Sequence, residues 1–142
     1  MHNISMGTVI HGTLRNEDLI PTFIAEIIYY DENNGVAQDI DDKLSNVYDF
    51  NSDEACEDIN NLIDELDTMA LPHSYFGVHP GDGSDYGFWV EIDNEWFDGM
   101  TVDDISAVPE SYSGEVLFTN DHGNMTLYNS EMGELTEVWS VV

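Results

Sequence analysis

Charge imbalance constrains this chain more than any other feature. Its 142 residues include 30 Asp and Glu against one Lys, Lys43, and one Arg, Arg15, which gives a formal net charge of -28. Almost no acidic side chain can therefore find an internal salt-bridge partner. Because like charges repel, such a charge destabilises a compact state, and a net charge of roughly 2 to 8 already keeps a small domain soluble. The excess requires an explanation beyond solubility.

The negative charge also excludes whole classes of partner. Direct binding to nucleic acid or to an anionic membrane requires Lys and Arg to neutralise phosphates, and two such residues cannot do this. A compact chain of this length is roughly 37 Å across, and duplex DNA of that length carries about 22 negative charges. The total charge of the protein thus matches that of a DNA segment of its own size.

The composition is nevertheless that of a folded protein. Hydrophobic residues make up 42% of the chain, with three Trp, seven Tyr and six Phe, so apolar burial can offset the entropy lost on folding. No repeat, low-complexity tract or linker divides the sequence, and we expect one domain over residues 1–142. Adaptation to high salt also produces acidic surfaces, but 11 Ile and 12 Asn are not what we expect of such a protein.

Helices are predicted in the first half, at about residues 16–70. Apolar residues recur at helical spacing from Leu19 to Ile28, with Asn16 as a good N-cap. Pro21 fits a first turn, so the regular helix is expected to begin at either residue. The segment 33–35, Asn-Asn-Gly, ends it.

Two further helices are predicted before residue 70. The spacing of Val36, Ile40, Leu44 and Val47 indicates a short second helix. A third helix begins at Asn51 or Ser52, with Glu54 placed for a capping box if Asn51 is the cap. Its predicted apolar stripe consists of Cys56, Ile59, Leu62, Ile63, Leu66 and Met69. We expect Cys56 to be a small buried hydrophobe rather than a reactive thiol, and a lone cysteine also excludes an internal disulfide.

The second half, at about residues 73–142, reads as strands and turns. Residues 73–79 and 86–92 flank a Pro-Gly-Asp-Gly-Ser segment and predict a hairpin with a five- to six-residue loop. Residues 114–119 and 125–128 predict a second hairpin, and residues 134–142 a last strand. The fold class is therefore α+β, with two to three N-terminal helices packed on a C-terminal antiparallel sheet of four to five strands.

The acidic residues are the leading candidates for function. Residues 31–67 hold 13 of them and residues 82–104 hold eight. A merely solvated face would mix both signs of charge, and these segments do not. Acids on successive helical turns can be spaced like phosphates, so a DNA-binding protein would meet its expected pattern of charge. The predicted phosphate surrogates are Asp39, Asp41, Asp42, Asp53, Glu54, Glu57, Asp58, Asp64, Glu65 and Asp67.

The sequence supports neither a cation site nor an active site. Asp82 and Asp93 occupy the first and twelfth positions of a calcium-loop frame, but Tyr86 at the fifth position and the missing Glu at the twelfth break the match. We expect a tight hairpin turn there, no metal and no cofactor. The five histidines accompany no nucleophile elbow, phosphate-binding glycine loop or zinc-spaced Cys/His set, so we expect no catalytic residue. They are His2, His11, His73, His79 and His122.

Three strings resemble small acidic proteins encoded by bacteriophages and related mobile elements. They are residues 12–21 (GTLRNEDLIP), residues 75–89 (YFGVHPGDGSDYGFW) and residues 120–128 (NDHGNMTLY), about a quarter of the chain. The resemblance implies a phage context and supplies no active residues. In charge and size the chain also resembles phage DNA mimics that block restriction or CRISPR enzymes.

These observations predict a phage-encoded DNA-mimic inhibitor. Its partner would be a basic host DNA-binding protein or a defence nuclease of the restriction or CRISPR type. The alternative is a non-catalytic protein-interaction or assembly module, including a cation-binding one. No segment reads as a signal peptide or a membrane span, so we expect the cytoplasm of the bacterial host cell. The oligomeric state is left open. At least one of Tyr29 and Tyr30 must face outward, where it would serve as an interface anchor.

Overall fold

The structure is a computed structural model that describes residues 3–93 and 95–142. The chain divides into two compact units. Unit 1 comprises Met1–Ala70 and Ser74–Val90, and unit 2 comprises Leu71–His73 and Glu91–Val142. The expectation of one domain stays a prediction.

Unit 1 combines helices with a small antiparallel sheet. Its strand order is β1-β3-β2, and β3 pairs antiparallel with both neighbours. The elements are β1 (Gly7–Ile10), α1 (Asn16–Tyr30), α2 (Gly35–Leu44), α3 (Asp53–Thr68), β2 (Ser74–His79) and β3 (Asp82–Val90).

The helices of unit 1 pack on this sheet through an apolar core. The ring of Phe23, on α1, meets the ring of Phe76, on β2, edge-on at 5.4 Å, and Phe76 meets Phe88 of β3 at 5.0 Å. Such aromatic pairs add about 0.5–1.5 kcal/mol to the area that they bury. From α3 the core receives Ile59, Leu62 and Leu66, the part of the predicted stripe that is confirmed as buried. Ile63 and Met69 are only half-buried.

Local sequence explains how the helices begin. Helix α1 starts at Asn16, so Arg15 takes the cap position and the predicted cap at Asn16 is wrong by one residue. Pro21 lies inside the helix, so the expected start at Pro21 is wrong as well. The Asn34 side chain accepts a hydrogen bond from the Ala37 amide at 3.0 Å, so Asn34 caps α2 as well as following α1. Of the two starts predicted for the third helix, Ser52 is the cap, and its hydroxyl accepts a hydrogen bond from the Ala55 amide at 3.1 Å.

One glycine is required by the pairing of β1 with β3. Gly87 lies opposite Thr8, and a Cβ atom at Gly87 would collide with the carbonyl oxygen of Gly7. The two backbones can approach this closely only because residue 87 has no side chain.

Unit 2 is a four-stranded sheet with a short 3-10 turn at Ile105–Ala107. Strands β5, β6 and β7 form antiparallel pairs, whereas β4 pairs parallel with β5, so the sheet is mixed. Its buried hydrophobic residues are Val102, Val116, Leu117, Leu127 and Trp139. The strands, in the order β4-β5-β6-β7, are Met100–Val102, Gly114–Thr119, Met125–Glu131 and Glu134–Val141.

The predicted α+β class is confirmed, with helices in the first half and mostly strands in the second. The single antiparallel sheet is wrong, because the described strands form two sheets and one of them is mixed. The first hairpin is also tighter than expected. His79 pairs with Asp82, which leaves only Pro80 and Gly81 in the turn, whereas the second hairpin and the last strand lie where they were predicted.

Candidate partner-binding surface

Both cationic side chains of the protein are held by their own neighbours. Arg15 pairs with Glu17, and its Nε lies 3.9 Å from a carboxylate oxygen of Asp18. Both acids flank it at the start of α1. The hydrogen bond and the charge of Glu17 raise the pKa of Arg15. Arg15 therefore neutralises charge at the start of α1, and its ion pairs do not include the acids of α2 or α3.

Lys43 neutralises a carboxylate inside unit 1. Its Nζ lies 3.0 Å and 3.3 Å from the two carboxylate oxygens of Asp58, and Tyr48 donates its hydroxyl to Asp58 at 2.8 Å. The hydrogen bond to Asp58 raises the pKa of Lys43. Burial and then the hydrogen bond to Asp58 raise the pKa of the Tyr48 hydroxyl. These three side chains form a network that joins α2, the loop after it and α3.

Asp58 is therefore misplaced in the predicted set of surface acids. Only 4% of it is exposed, and it is the one buried Asp or Glu among the described residues. The prediction that it lies on the outer face of α3 is wrong because the helix turns the stripe of Ala55, Asp58, Ile59 and Leu62 inward. The same rotation exposes Cys56, which was expected to be buried.

Three other predicted acids are exposed or half-exposed but have a partner. Glu54 lies 3.6 Å from Lys43 Nζ, and Glu65 accepts a hydrogen bond from the Asn34 side chain at 3.0 Å. Asp67 accepts from the Phe76 amide at 3.0 Å, which ties the end of α3 to β2. These carboxylates contribute negative charge and also hold the fold.

The remaining six predicted acids are exposed, and none of the residues that the structure describes donates a hydrogen bond to their carboxylates or forms an ion pair with them. On α3, Asp53, Glu57 and Asp64 lie four and seven residues apart and therefore share one stripe of the helix. We call the six the α2–α3 acidic set: Asp39, Asp41, Asp42, Asp53, Glu57 and Asp64.

The two acids at the ends of the rejected calcium-loop frame, Asp82 and Asp93, accept hydrogen bonds from residues two positions further along the chain. Asp82 Oδ1 accepts from the amide and the hydroxyl of Ser84 at 3.0 Å and 2.9 Å, and these bonds lower the pKa of Asp82. Asp93 Oδ1 accepts from the Glu95 amide at 2.9 Å. Within residues 3–93 and 95–142, no three His, Cys, Asp or Glu side chains are grouped to hold a metal ion.

The histidines take separate places. His73 Nε2 lies 3.0 Å from both carboxylate oxygens of Glu115 in unit 2, and the ring of His79 packs edge-on against Trp89 in unit 1 at 4.7 Å. His11 and His122 are exposed. His2 lies outside the described residues.

Two interface features were predicted only in part. Tyr29 is exposed and Tyr30 is buried, which confirms that one of the pair faces outward. Sequence reasoning missed the exposed Trp96, whose flanking residues Glu95 and Asp98 were the available signal. None of the helices in the described part of the chain is long and apolar enough to cross a membrane.

Comparison with known proteins adds no relative. No family model matches the chain, and searches of curated proteins and of solved structures find no match.

Proposed function

We propose that the protein is an inhibitor, encoded by a phage, that binds by imitating the charge of DNA. It occupies the nucleic-acid-binding surface of a basic host protein, such as a restriction or CRISPR nuclease, and acts by binding without catalysis. The observation that carries the proposal is the pairing of both cations with local carboxylates, while the α2–α3 acidic set has no described partner.

The charge density of α3 supports this function. From Asp53 to Asp67 the helix carries six carboxylates besides the buried Asp58, and a helix rises about 1.5 Å per residue, so one carboxylate recurs roughly every 4 Å. A single strand of B-DNA carries one phosphate per about 3.4 Å of axis. A protein groove lined with Lys and Arg would thus meet a charge density close to that of its natural ligand.

Salt should weaken such a complex strongly, since exposed charges steer the partners together and are screened within about 10 Å at 0.1 M salt. The test begins with a pull-down from bacterial lysate at low salt, followed by mass spectrometry of what elutes as salt rises. We expect DNA-binding proteins that duplex DNA competes off. Partners that are indifferent to DNA would instead favour an assembly module.

A charge-matched pair of variants then locates the surface on the partner so identified. One variant carries Asp39→Asn, Asp42→Asn, Glu57→Gln and Asp64→Asn. Its control carries four neutralisations at exposed acids of unit 2 and has the same net charge: Asp103→Asn, Glu110→Gln, Glu131→Gln and Glu134→Gln.

The first variant should lose about 100-fold in affinity, because contacts between close charge pairs are removed, and the control less than about threefold. Isothermal titration calorimetry measures both. Equal losses would mean that bulk charge, rather than the α2–α3 acidic set, holds the partner.

A further inference from the structure

Trp96 differs from the other two tryptophans of the protein. Its side chain is exposed, with 78% of the residue accessible to solvent. Trp89 donates its indole N–H to the Gly77 carbonyl at 2.9 Å, and Trp139 donates to the Pro72 carbonyl at 2.8 Å. No described residue accepts from the Trp96 indole. Tryptophan is highly buried on average, and it is the residue most often found as an energetic anchor in interfaces.

A hydrogen-bonded turn holds Trp96 in this outward position. The Asp93 carbonyl oxygen accepts from the amides of Trp96 and Phe97 at 3.0 Å and 2.9 Å. The Asp93 side chain accepts from the Glu95 amide at 2.9 Å. Three hydrogen bonds accepted by Asp93 thus hold the backbone that carries the indole.

The next residue anchors this turn to the rest of unit 2. The Phe97 ring packs edge-on against His73, with ring centroids 5.3 Å apart, and His73 is paired with Glu115 on β5. Phe97 points inward while Trp96 points outward. The exposed indole is therefore carried by a turn whose backbone is already hydrogen-bonded, so a partner does not have to order that backbone when it binds.

The charged residues close to Trp96 in the sequence are all acidic. Glu91, Asp93, Glu95 and Asp98 are exposed in the same segment, and unit 2 contains no Lys or Arg. The electron-rich face of an indole attracts cations, and neighbouring carboxylates strengthen that preference. Lone exposed hydrophobic residues are common on proteins. Trp96 differs from such residues because it has the largest aromatic ring and its charged sequence neighbours are all negative.

We propose that Trp96 and the acids beside it bind an arginine side chain of a basic protein partner. Arginine fits better than lysine because its planar guanidinium stacks on an aromatic face and still donates in its own plane to carboxylates such as Glu95 and Asp98. This surface lies in unit 2, and the inference does not rest on the α2–α3 acidic set or on DNA mimicry.

The test uses the peptide Gly-Arg-Gly-Arg-Gly as the probe. The peptide Gly-Lys-Gly-Lys-Gly, which has the same charge, is the control ligand. Three indole N–H signals are followed by NMR, and the variant Trp96→Phe assigns the one that belongs to Trp96. We expect this signal to shift saturably with the arginine peptide and with at least threefold higher affinity than with the lysine peptide. A response of all three indoles alike, or equal affinity for both peptides, would overturn the proposal.

Two variants measure how much the ring contributes. Trp96→Ala should weaken binding of the arginine peptide about two- to fivefold, the usual size of an exposed cation–π contact, as followed by the backbone amide signals of Glu95 and Asp98. Met132→Ala is the matched control, since Met132 is 68% exposed and stands beside acidic residues of unit 2 but has no aromatic face. It should leave the affinity unchanged. Equal losses in the two variants would also refute the inference, and circular dichroism confirms that both are folded.

The same titration separates this site from the proposed function. In the variant neutralised at four residues of the α2–α3 acidic set, the Trp96 signal should still shift with the arginine peptide at nearly the same affinity. Loss of that shift would contradict an independent site in unit 2. If the shift is retained, the arginine site in unit 2 is supported even when the pull-down finds no DNA-binding protein.

Discussion

The two units treat their acidic residues differently. Unit 1 holds both cations and the one described buried acid, Asp58, which is bound by Lys43. Unit 2 has no Lys or Arg, and its described acids are exposed or half-exposed. Because an unpaired buried charge costs several kcal/mol, a charged carboxylate in a core needs a cation or hydrogen-bond donors, and Asp58 has both. The scarce cation thus determines where this protein can bury an acid.

The largest expected effects come from the two apolar cores. Leu62 in unit 1 and Leu127 in unit 2 are both fully buried. Leu62→Ala and Leu127→Ala should each lower the free energy of unfolding by about 2–5 kcal/mol, through lost burial and the cavity left behind. Urea unfolding followed by circular dichroism and tryptophan fluorescence measures it. A single domain predicts one shared transition in both variants, and two transitions that move separately would contradict it.

The buried ion pair sharpens the comparison. Lys43→Met should cost about 2–3 kcal/mol, less than for a fully buried pair, because Lys43 is 42% exposed on its side chain and Tyr48 still donates to Asp58. In unit 2, Glu115→Gln should cost at most about 1 kcal/mol, since the His73–Glu115 pair is partly exposed.

The double variant Lys43→Met with Asp58→Asn provides the control. An uncharged Asn needs no cation, so the second change should recover part of the stability lost by the first. The urea midpoints of the single and double variants at pH 7 measure these differences in stability. If Glu115→Gln proves as costly as Lys43→Met, the contrast between the units fails.

Deprotonation of Tyr48 at alkaline pH should lower the free energy of unfolding of unit 1 by less than the substitutions above. The folded protein raises the pKa of Tyr48, so its contribution is fully present below about pH 10, where the unfolded chain also keeps the proton, and is lost above it. The loss is up to about 1.4 kcal/mol per pH unit for one such group. The raised pKa of Lys43 acts in the same direction.

Tyr48→Phe should flatten the decline of the free energy of unfolding between about pH 10 and 12. Some slope remains, because burial also raises the pKa of Tyr30. Urea unfolding at several pH values measures it. A slope identical to that of the unchanged protein would show that Tyr48 is not protected in the folded state.

Periodicity predicted the helices of this protein but not their rotation. The core positions Ile59, Leu62 and Leu66 were found from spacing alone. A stripe three to four residues apart can be extended to Ala55 as well as to Cys56, and the structure has Ala55 buried. Burial of Asp58 depends on Lys43, which lies 15 residues away on another helix. Such tertiary compensation leaves no local pattern.

Strands were predictable where turn residues mark both ends. Asn120 accepts hydrogen bonds from the amides of His122 and Asn124, which is the turn chemistry that the second hairpin needs. Strands β1 and β4 were missed because they are only four and three residues long. In addition, β1 pairs with β3, which is far away in the sequence, and a long connection separates β4 from its partner β5. The outward position of Trp96 was equally hidden, since sequence does not say which aromatic residues a core leaves out.

The scarcity of cations also decides where trypsin can cut. The enzyme cleaves after Lys and Arg, so the chain offers only the bonds after Arg15 and Lys43, and no site lies within residues 44–142. Lys43 lies in the last turn of α2, and its ammonium group is bound by Asp58, so cleavage after it is expected to require local opening of this helix. The cleavage rate at low protease concentration therefore reports the population in which α2 is open, and at high protease concentration it reports the rate of opening.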